Sequence, residues 1–322
     1  MPAAESTLIR RCRLIELGED WYLDEEQVTK GNRRKFTASA LTPQAAPVRG
    51  KRRWIWKTSK VEYPLEFWSE VMAYHIGECL EVEVPYAFPA RFKGEYGALM
   101  WNFVNLKENE VLDHGGDILM GVKPDYERDR GSDHSVQLVL SALRRWKLDD
   151  VVYTHLFHHL LLDALIGNSD RHQDNWGLVV VPSADEELRF VRRPAPAFDN
   201  GSSLGRELLD PKIELMLAEP WRIERYIDRG RAHIRWEEDG NLLQVTHEEL
   251  LRRHLRRFDM SRLIAADILG FLMPVVERAV RRICALSRSC PGVDISANRE
   301  ELIVLLLKRR RERLLRLMTK EE

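Results

Sequence analysis

The 322-residue chain contains 44% hydrophobic and 31% charged residues, the proportions of a globular protein, and is long enough for two lobes. Its formal net charge of −1 gives no overall field that favours nucleic acid or an anionic membrane. No apolar run reaches the roughly 18–20 residues that cross a bilayer, and the first residues lack the pattern of a secretory signal. The four cysteines are scattered, so we expect a cytoplasmic protein with reduced thiols.

The first hundred residues predict mainly strands. Residues 21–35 predict a strand followed by a loop, and residues 53–57 alternate in the manner of a strand that ends near Lys57. Two more strands are predicted at residues 82–85 and 97–104, and together these segments indicate a small sheet.

One helix interrupts this β-rich region, at residues 65–80. Phe67, Glu70, Val71 and Tyr74 recur at the spacing of a single helical stripe. Glu70 thus lies on an apolar face, where an unpaired carboxylate is costly, so we expect it to have a cationic partner.

The chain beyond about residue 105 predicts a polar connection and then mainly helices. A long apolar helix ends at Gly167, a suitable C-terminal cap, and residues 178–191 predict a hairpin. The expected fold is α+β and two-lobed, like that of protein kinases. The sequence predicts a small β-rich lobe with one helix at residues 1–105, and a larger, mainly helical lobe at residues 106–322.

Three polar residues on either side of the predicted hairpin carry the chemistry. Asp170 and Asn175 lie in the stretch that follows the long helix, and Asp199 lies beyond the hairpin. Phosphoryl transfer requires one group that orients a nucleophilic hydroxyl and others that hold the metal at the ATP phosphates. We assign the first role to Asp170 and Mg²⁺ binding to Asn175 and Asp199, because Mg²⁺ prefers hard oxygen ligands.

The N-terminal half supplies two further groups. Lys57 is positioned to reach the ATP phosphates, and Glu70 is the partner that would hold the lysine in place. Asp170, Lys57 and Glu70 are therefore the predicted catalytic residues.

The motif Gly-Asn-Ser-Asp-Arg-His-x-x-Asn at residues 167–175, followed by Phe-Asp-Asn-Gly at 198–201, resembles the HipA-like kinases of bacteria. The resemblance covers roughly residues 54–236. It implies an ATP- and Mg²⁺-dependent kinase that phosphorylates serine or threonine of a protein whose identity is unknown. It also implies that the protein could phosphorylate itself and that it could bind an antitoxin-like or docking partner.

The resemblance also places the nucleotide. Adenine would lie near residues 100–104, with Met100 and Asn102 as contacts. A Gly-rich phosphate loop is not evident, and the candidate in its place contains Gly31 and Lys35. Self-modification would fall on hydroxyl residues that flank this loop: Thr29, Thr37 and Ser39.

Other interpretations remain open. Asp170, Asn175 and Asp199 are residue types that also favour turns. A similar pattern occurs in phosphoinositide kinases, so a lipid or small-molecule kinase is an alternative, and a nucleotide-binding pseudokinase is another. The Arg-rich stripe at residues 305–317 predicts either a docking helix for a partner or a helix that packs on the second lobe.

Overall fold

The computed structural model describes residues 12–24, 34–146, 149–183, 190–258, 260–270 and 273–319. The chain divides into two compact units, each built from several segments. Unit 1 consists of residues 1–102, 201–223 and 271–308, and unit 2 of residues 103–200, 224–270 and 309–322. The division of the sequence into lobes at residue 105 stays a prediction.

Unit 1 contains a six-stranded sheet in the order β1-β5-β6-β4-β3-β2. Only the pairing of β1 with β5 is parallel among the strands described. Alternate side chains of β3 and β4 point into the core, where Trp54, Trp56 and Phe36 are almost fully buried. The strands are β1 (Ile15–Glu16), β2 (Trp21–Asp24), β3 (Lys35–Ala40), β4 (Arg53–Thr58), β5 (Ala87–Phe92) and β6 (Glu95–Trp101).

Helix α1 (Glu66–Leu80) packs on strands β5 and β6 of this sheet. Nearly all of its residues are buried, because the helix ending at Ser287 covers another side of it. The indole Nε1 of Trp68 donates a 2.7 Å hydrogen bond to the carbonyl of Val293. This enclosure explains why charged residues of α1 must find partners inside the protein.

The strand predicted at residues 82–85 is absent. Glu81 has a left-handed φ of 56° and caps α1, and the backbone N–H of Val82 returns to the carbonyl of Gly77 at 2.9 Å. Pro85 has no N–H to donate to a ladder, so the strand begins only at Ala87. The prediction of a strand from the alternating apolar residues at 82–85 was therefore wrong.

Unit 2 contains a three-stranded antiparallel sheet in the order β7-β8-β9. The predicted hairpin is present, although residues 184–189 of its turn lie outside the described residues. Residues 105–135 contain more structure than the polar connection that we expected, since they hold β7 and a short helix. The strands are β7 (Val111–His114), β8 (Gly177–Pro182), β9 (Phe190–Pro194) and a separate hairpin, β10 (Trp236–Glu238) with β11 (Asn241–Leu243).

The remaining described chain is mainly helical, as the sequence predicts. The long apolar helix ends at Ile166, and Gly167 follows with a φ of 67°. The helices after α1 are α2 (Gly115–Met120), α3 (Val136–Arg145), α4 (Asp149–Ile166), α5 (Asp210–Ala218), α6 (Trp221–Arg229), α7 (His247–Arg257), α8 (Met260–Leu269), α9 (Met273–Ser287) and α10 (Ala297–Thr319). None of the described helices is both long enough and apolar enough to span a membrane.

Candidate active site

The structure pairs Lys57 with Glu70 inside unit 1. The Lys57 Nζ lies 3.3 Å from the Glu70 Oε1, and both side chains are at most 10% exposed. Strand β4 supplies the lysine and helix α1 the glutamate, so the cationic partner expected for Glu70 is present. A low-dielectric setting strengthens such a pair and fixes the direction of the ammonium group.

Lys35, from the candidate phosphate loop, lies directly opposite Lys57 in the β3–β4 ladder. Directly paired residues of neighbouring strands point to the same face of a sheet, so two lysines share this region. Thr37 and Ser39 lie on β3 and are half-buried, whereas Gly31 and Thr29 lie outside the described residues.

Met100 and Asn102, the expected adenine contacts, lie at the end of β6. Met100 pairs with Ile55 and with Ala87, and the backbone N–H of Asn102 donates to the carbonyl of Arg53 at 3.1 Å. Both residues are half-buried. Their contact with a nucleotide stays a prediction.

The segment at residues 201–206 is held tightly against helix α1. A Cβ on Gly201 would lie 2.9 Å from the Cγ of Glu66 and 3.2 Å from the Oε1 of Glu70, so only glycine fits without displacement. The hydroxyl of Ser69 donates to the carbonyl of Ser203 at 3.2 Å, and Arg206 forms a buried ion pair with Glu66. Helix α1 therefore carries two glutamates with different partners.

The loop at residues 168–175 in unit 2 is closed by its own side chains. The Asn168 Oδ1 accepts a 3.1 Å hydrogen bond from the backbone N–H of Asp170. The Asn175 Nδ2 donates a 2.7 Å bond to the Asp170 carbonyl. Asp170 is thus fixed at both its N–H and its carbonyl, while its side chain is half-buried.

Arg171 is the centre of this loop, and its side chain is only 3% exposed. Its Nε and Nη2 donate to the two carboxylate oxygens of Asp163 at 2.9 Å and 2.7 Å, a bidentate arrangement. Its Nη1 donates to the carbonyl oxygens of Asn175 and Phe198, and its Nη2 also donates to the Oδ1 of Asn200 at 2.6 Å.

Asp199 lies between two residues that Arg171 binds. Its φ of 56° is left-handed, a conformation that Asp and Asn tolerate better than most residues. The Asn200 Nδ2 donates to the carbonyl of Ala197 at 2.8 Å, and the Phe198 ring lies 5.6 Å from that of Phe103. These contacts make the backbone at Asp199 a defined turn joined to the 168–175 loop.

Asn175 and Asp199 suit a magnesium ion by their chemistry. Because the Asn175 amide nitrogen is engaged by the Asp170 carbonyl, its Oδ1 is the side-chain atom left for a metal. Asp199 adds a half-buried carboxylate, and Mg²⁺ commonly takes one or two such groups together with substrate phosphates. No cluster of three His, Cys, Asp or Glu side chains suited to a metal occurs within the described ranges.

Histidines surround the loop without forming a metal site. The Nε2 of the fully buried His134 accepts a 3.0 Å hydrogen bond from the indole of Trp176, which is also buried. Burial, and secondarily the neighbouring His233 and His172, lower the pKa of His134 to about 3, so this imidazole is neutral. His172 also accepts the backbone N–H of Asp174 at 3.1 Å, which makes it a structural residue of the loop.

The arginines at the end of helix α10 make intramolecular contacts within unit 2. Arg310 donates to the carbonyl of Ile166 at 3.0 Å, and Arg313 forms ion pairs with Glu224 and Asp228 at 2.7 Å and 2.6 Å. Of the two interpretations of this Arg-rich stripe, packing on the protein itself accounts for these side chains.

Sequence reasoning missed the residues that support the site. Asp163 was assigned only to an apolar helix, and Arg171, Asn168 and Asn200 were treated as flanking letters of the motif. A signal was available, since Asp163 is a carboxylate within an otherwise apolar helix and requires a cation. Arg171 is that cation.

No family model and no curated protein matches the chain. Among solved structures, the Helicobacter pylori proinflammatory kinase CtkA is similar, with a TM-score of 0.70 and 16% identity, over 95% of this chain and 96% of that chain. A HipA structure from Shewanella oneidensis MR-1, in complex with HipB and operator DNA, has a TM-score of 0.49 and 12% identity, over 91% of this chain and 67% of that chain. The likeness to CtkA confirms the expected kinase-like α+β fold and, at the level of the fold, the resemblance to HipA-like kinases.

Proposed function

We propose that the protein is an ATP- and Mg²⁺-dependent phosphotransferase that transfers the γ-phosphate to serine or threonine of a protein. The likeness in fold to a kinase supports the reaction class, and the residue types that phosphoryl transfer uses are present in the chain. The protein acceptor is the finer part of this proposal and comes from the sequence resemblance.

Each predicted residue has a role in the proposal. Asp170 orients the acceptor hydroxyl and accepts its proton, and Asn175 and Asp199 hold Mg²⁺. Lys57, held by Glu70, neutralises charge on the ATP phosphates. The metal would shield the phosphate charge, whereas the protein side chains position the reactants.

The observation that carries the proposal is the hydrogen-bond network of Arg171. A single buried guanidinium binds the carbonyl of Asn175 and both residues that flank Asp199. It therefore ties the backbone of Asn175 and the two neighbours of Asp199 into one polar network next to Asp170, which supports the metal-holding roles proposed for Asn175 and Asp199.

The first test is transfer of labelled γ-phosphate from ATP with Mg²⁺ to the protein itself or to generic acceptor proteins. We expect Asp170→Asn to reduce transfer at least about 100-fold, because a positioned general base contributes about 10²–10⁴-fold. Ser169→Ala, at the exposed neighbouring position, is the matched control and should retain transfer.

Equal activity in wild type and Asp170→Asn would refute the role of the aspartate. If the folded wild-type protein binds ATP but transfers no phosphate to any acceptor, the pseudokinase interpretation replaces this proposal.

A further inference from the structure

An extended segment beside the 168–175 loop presents a row of basic side chains. Ala232, Ile234 and Trp236 are buried, each at most 5% exposed, whereas the residues between them face outward. Such alternation is that of a strand with one buried face. We call the outward residues, Arg231, His233 and Arg235, the basic row.

Backbone hydrogen bonds fix this segment on both sides. The N–H of Ala232 donates to the carbonyl of Val245 at 3.0 Å, and the N–H of Arg235 donates to the carbonyl of His134 at 2.9 Å. The basic row is therefore part of the folded framework of unit 2 and is not a flexible tail.

The basic row contacts the loop that carries Asp170. The ring of His233 lies 5.9 Å from the ring of His172, at an interplanar angle of 67°. Burial lowers the pKa of His233, and the carboxylate of Asp170 lies close enough to oppose that shift in part. An acceptor held at Asp170 would therefore lie close to His233 of the basic row.

Within the described residues neither Arg231 nor Arg235 forms an ion pair with a carboxylate, although the carboxylate of Asp133, which Lys123 binds, lies close to Arg235. Arg231 donates to the backbone carbonyl of Asp228 at 2.9 Å, and the carboxylate of Asp228 is bound by Arg313. Arg235 donates to the backbone carbonyl of Ser132. Carbonyl contacts orient a guanidinium and leave its positive charge available to an anion.

The basic row differs in this respect from Arg252 and Arg253 of unit 2. Arg252 and Arg253 are each paired with glutamates on helix α7 or nearby, as the surface of a globular protein usually shows. The Nδ1 of His233 is in addition a buried polar atom without a hydrogen-bond partner among the described residues. Two arginines that form no ion pair with a carboxylate of the described residues, beside a half-buried imidazole, are suited to an incoming acidic group.

We infer that the basic row recognises acidic side chains next to the acceptor hydroxyl of a protein substrate. This inference rests on the proposed function and adds to it a substrate class, an acidic protein segment. Carboxylates and phosphorylated residues share the required charge, and the experiment separates them.

The test uses three fluorescent peptides with the same central serine, flanked by glutamates, by lysines or by phosphoserines. Binding to the full-length protein is measured by fluorescence anisotropy at low and high salt, and phosphorylation is measured in parallel. We expect the glutamate peptide to bind about ten-fold more tightly than the lysine peptide, and we expect salt to weaken this preference. Tighter binding of the phosphoserine peptide than of the glutamate peptide would identify phosphate as the preferred anion.

Arg231→Glu, at an exposed position, should abolish the preference and raise the KM for the glutamate peptide more than it changes kcat. Arg145→Glu makes the same charge change at an exposed position on helix α3 and should leave the preference unchanged.

Equal affinity for the acidic and basic peptides would overturn the inference, as would a preference that survives Arg231→Glu. Loss of binding to phosphatidylserine vesicles with unchanged peptide binding in Arg231→Glu would also overturn it in favour of a membrane surface. An acidic preference without phosphate transfer to any peptide would support the basic row and refute the proposed kinase activity, so the two failures are distinguishable.

Discussion

The guanidinium of Arg171 neutralises Asp163 and at the same time binds several other oxygen atoms, which a lysine could not do. Arginine presents five N–H donors in a rigid plane, and here they meet a carboxylate, two backbone carbonyls and an amide oxygen. A lysine would retain the charge opposite Asp163 and would lose the simultaneous contacts to Phe198 and Asn200. Charge and geometry can therefore be tested separately at this position.

We expect Arg171→Lys to lower kcat by at least about ten-fold and to lower the thermal midpoint by several degrees. Loss of one or two buried hydrogen bonds to a charged group costs about 1.5–3 kcal/mol each. Initial rates and thermal unfolding of the same preparation check both effects. Unchanged kcat in a destabilised variant would show that Arg171 supports the fold but does not position the site.

Sequence patterns predicted the pairing of Lys57 with Glu70 better than the contacts that hold the 168–175 loop. Lys57 and Glu70 were paired in advance, because a carboxylate on an apolar helix face needs a cation. The pairing of Arg171 with Asp163 follows the same rule. Arg171 also binds main-chain carbonyls, and since every residue has a carbonyl, the sequence does not show which ones are bound. Hydrogen bonds to backbone atoms are thus the part of the site that a sequence does not reveal.

At the scale of elements, helix α1 carries two glutamates, one turn apart, that bind different cations. Glu66 and Glu70 are four residues apart, so they lie on one side of the helix. Glu70 binds Lys57, and Glu66 binds Arg206 of the segment that follows Asp199. Arg206 and Lys57 therefore each have a glutamate partner on this helix.

Glu66→Gln should destabilise the protein and reduce phosphate transfer. The Glu66 side chain is 1% exposed and that of Arg206 is 13% exposed, and breaking a buried pair typically costs about 3–5 kcal/mol. Denaturant unfolding and initial rates measure the two effects. The exchange Glu66→Arg with Arg206→Glu should restore part of each loss.

Glu95→Gln is the comparison variant in the same unit. Its pair with Arg34 is 42% and 53% exposed, and such surface pairs contribute at most about 1 kcal/mol. If Glu66→Gln were no more harmful than Glu95→Gln, the anchoring role of Glu66 would be wrong.

Element boundaries followed the sequence where a residue has a strong backbone preference. Helix α4 ends before Gly167 as predicted, because glycine adopts the left-handed conformation at a helix end more readily than other residues. The strand predicted at residues 82–85 failed because a helix cap at Glu81 used a neighbouring N–H, and Glu81 is an unusual left-handed residue. The hairpin of β10 and β11 was assigned only to a mainly helical region, although Asp239 and Gly240 at its turn, with φ values of 49° and 75°, are a recognised hairpin signal.

At the scale of the whole molecule, buried neutral histidines make the fold sensitive to acid. Burial lowers the pKa of His254 from 6.5 to about 3, and those of His75 and His247 to about 4. The unfolded chain binds protons near pH 6.5, whereas these folded imidazoles do not. Stability is therefore fully present above pH 6.5 and is lost as the pH falls from there towards 3 or 4.

His254→Gln should reduce the loss of unfolding free energy between pH 7 and pH 5 by about 2 kcal/mol, because each pKa unit corresponds to about 1.4 kcal/mol. Denaturant unfolding at several pH values measures this slope. Tyr153→Phe is the control: it removes the 2.7 Å contact to the His254 Nε2 but keeps the titrating group, so the slope should persist. The same slope in His254→Gln as in wild type would contradict the assignment.

The contact between Arg310 and the end of helix α4 has a consequence for biosynthesis. Arg310 follows Ile166 by 144 residues, yet its guanidinium satisfies the carbonyl immediately before Gly167. A chain still emerging from the ribosome cannot complete the support of the 168–175 loop until Arg310 has been made. Completion of the 168–175 loop's support therefore waits for a residue that is synthesised 144 positions after Ile166.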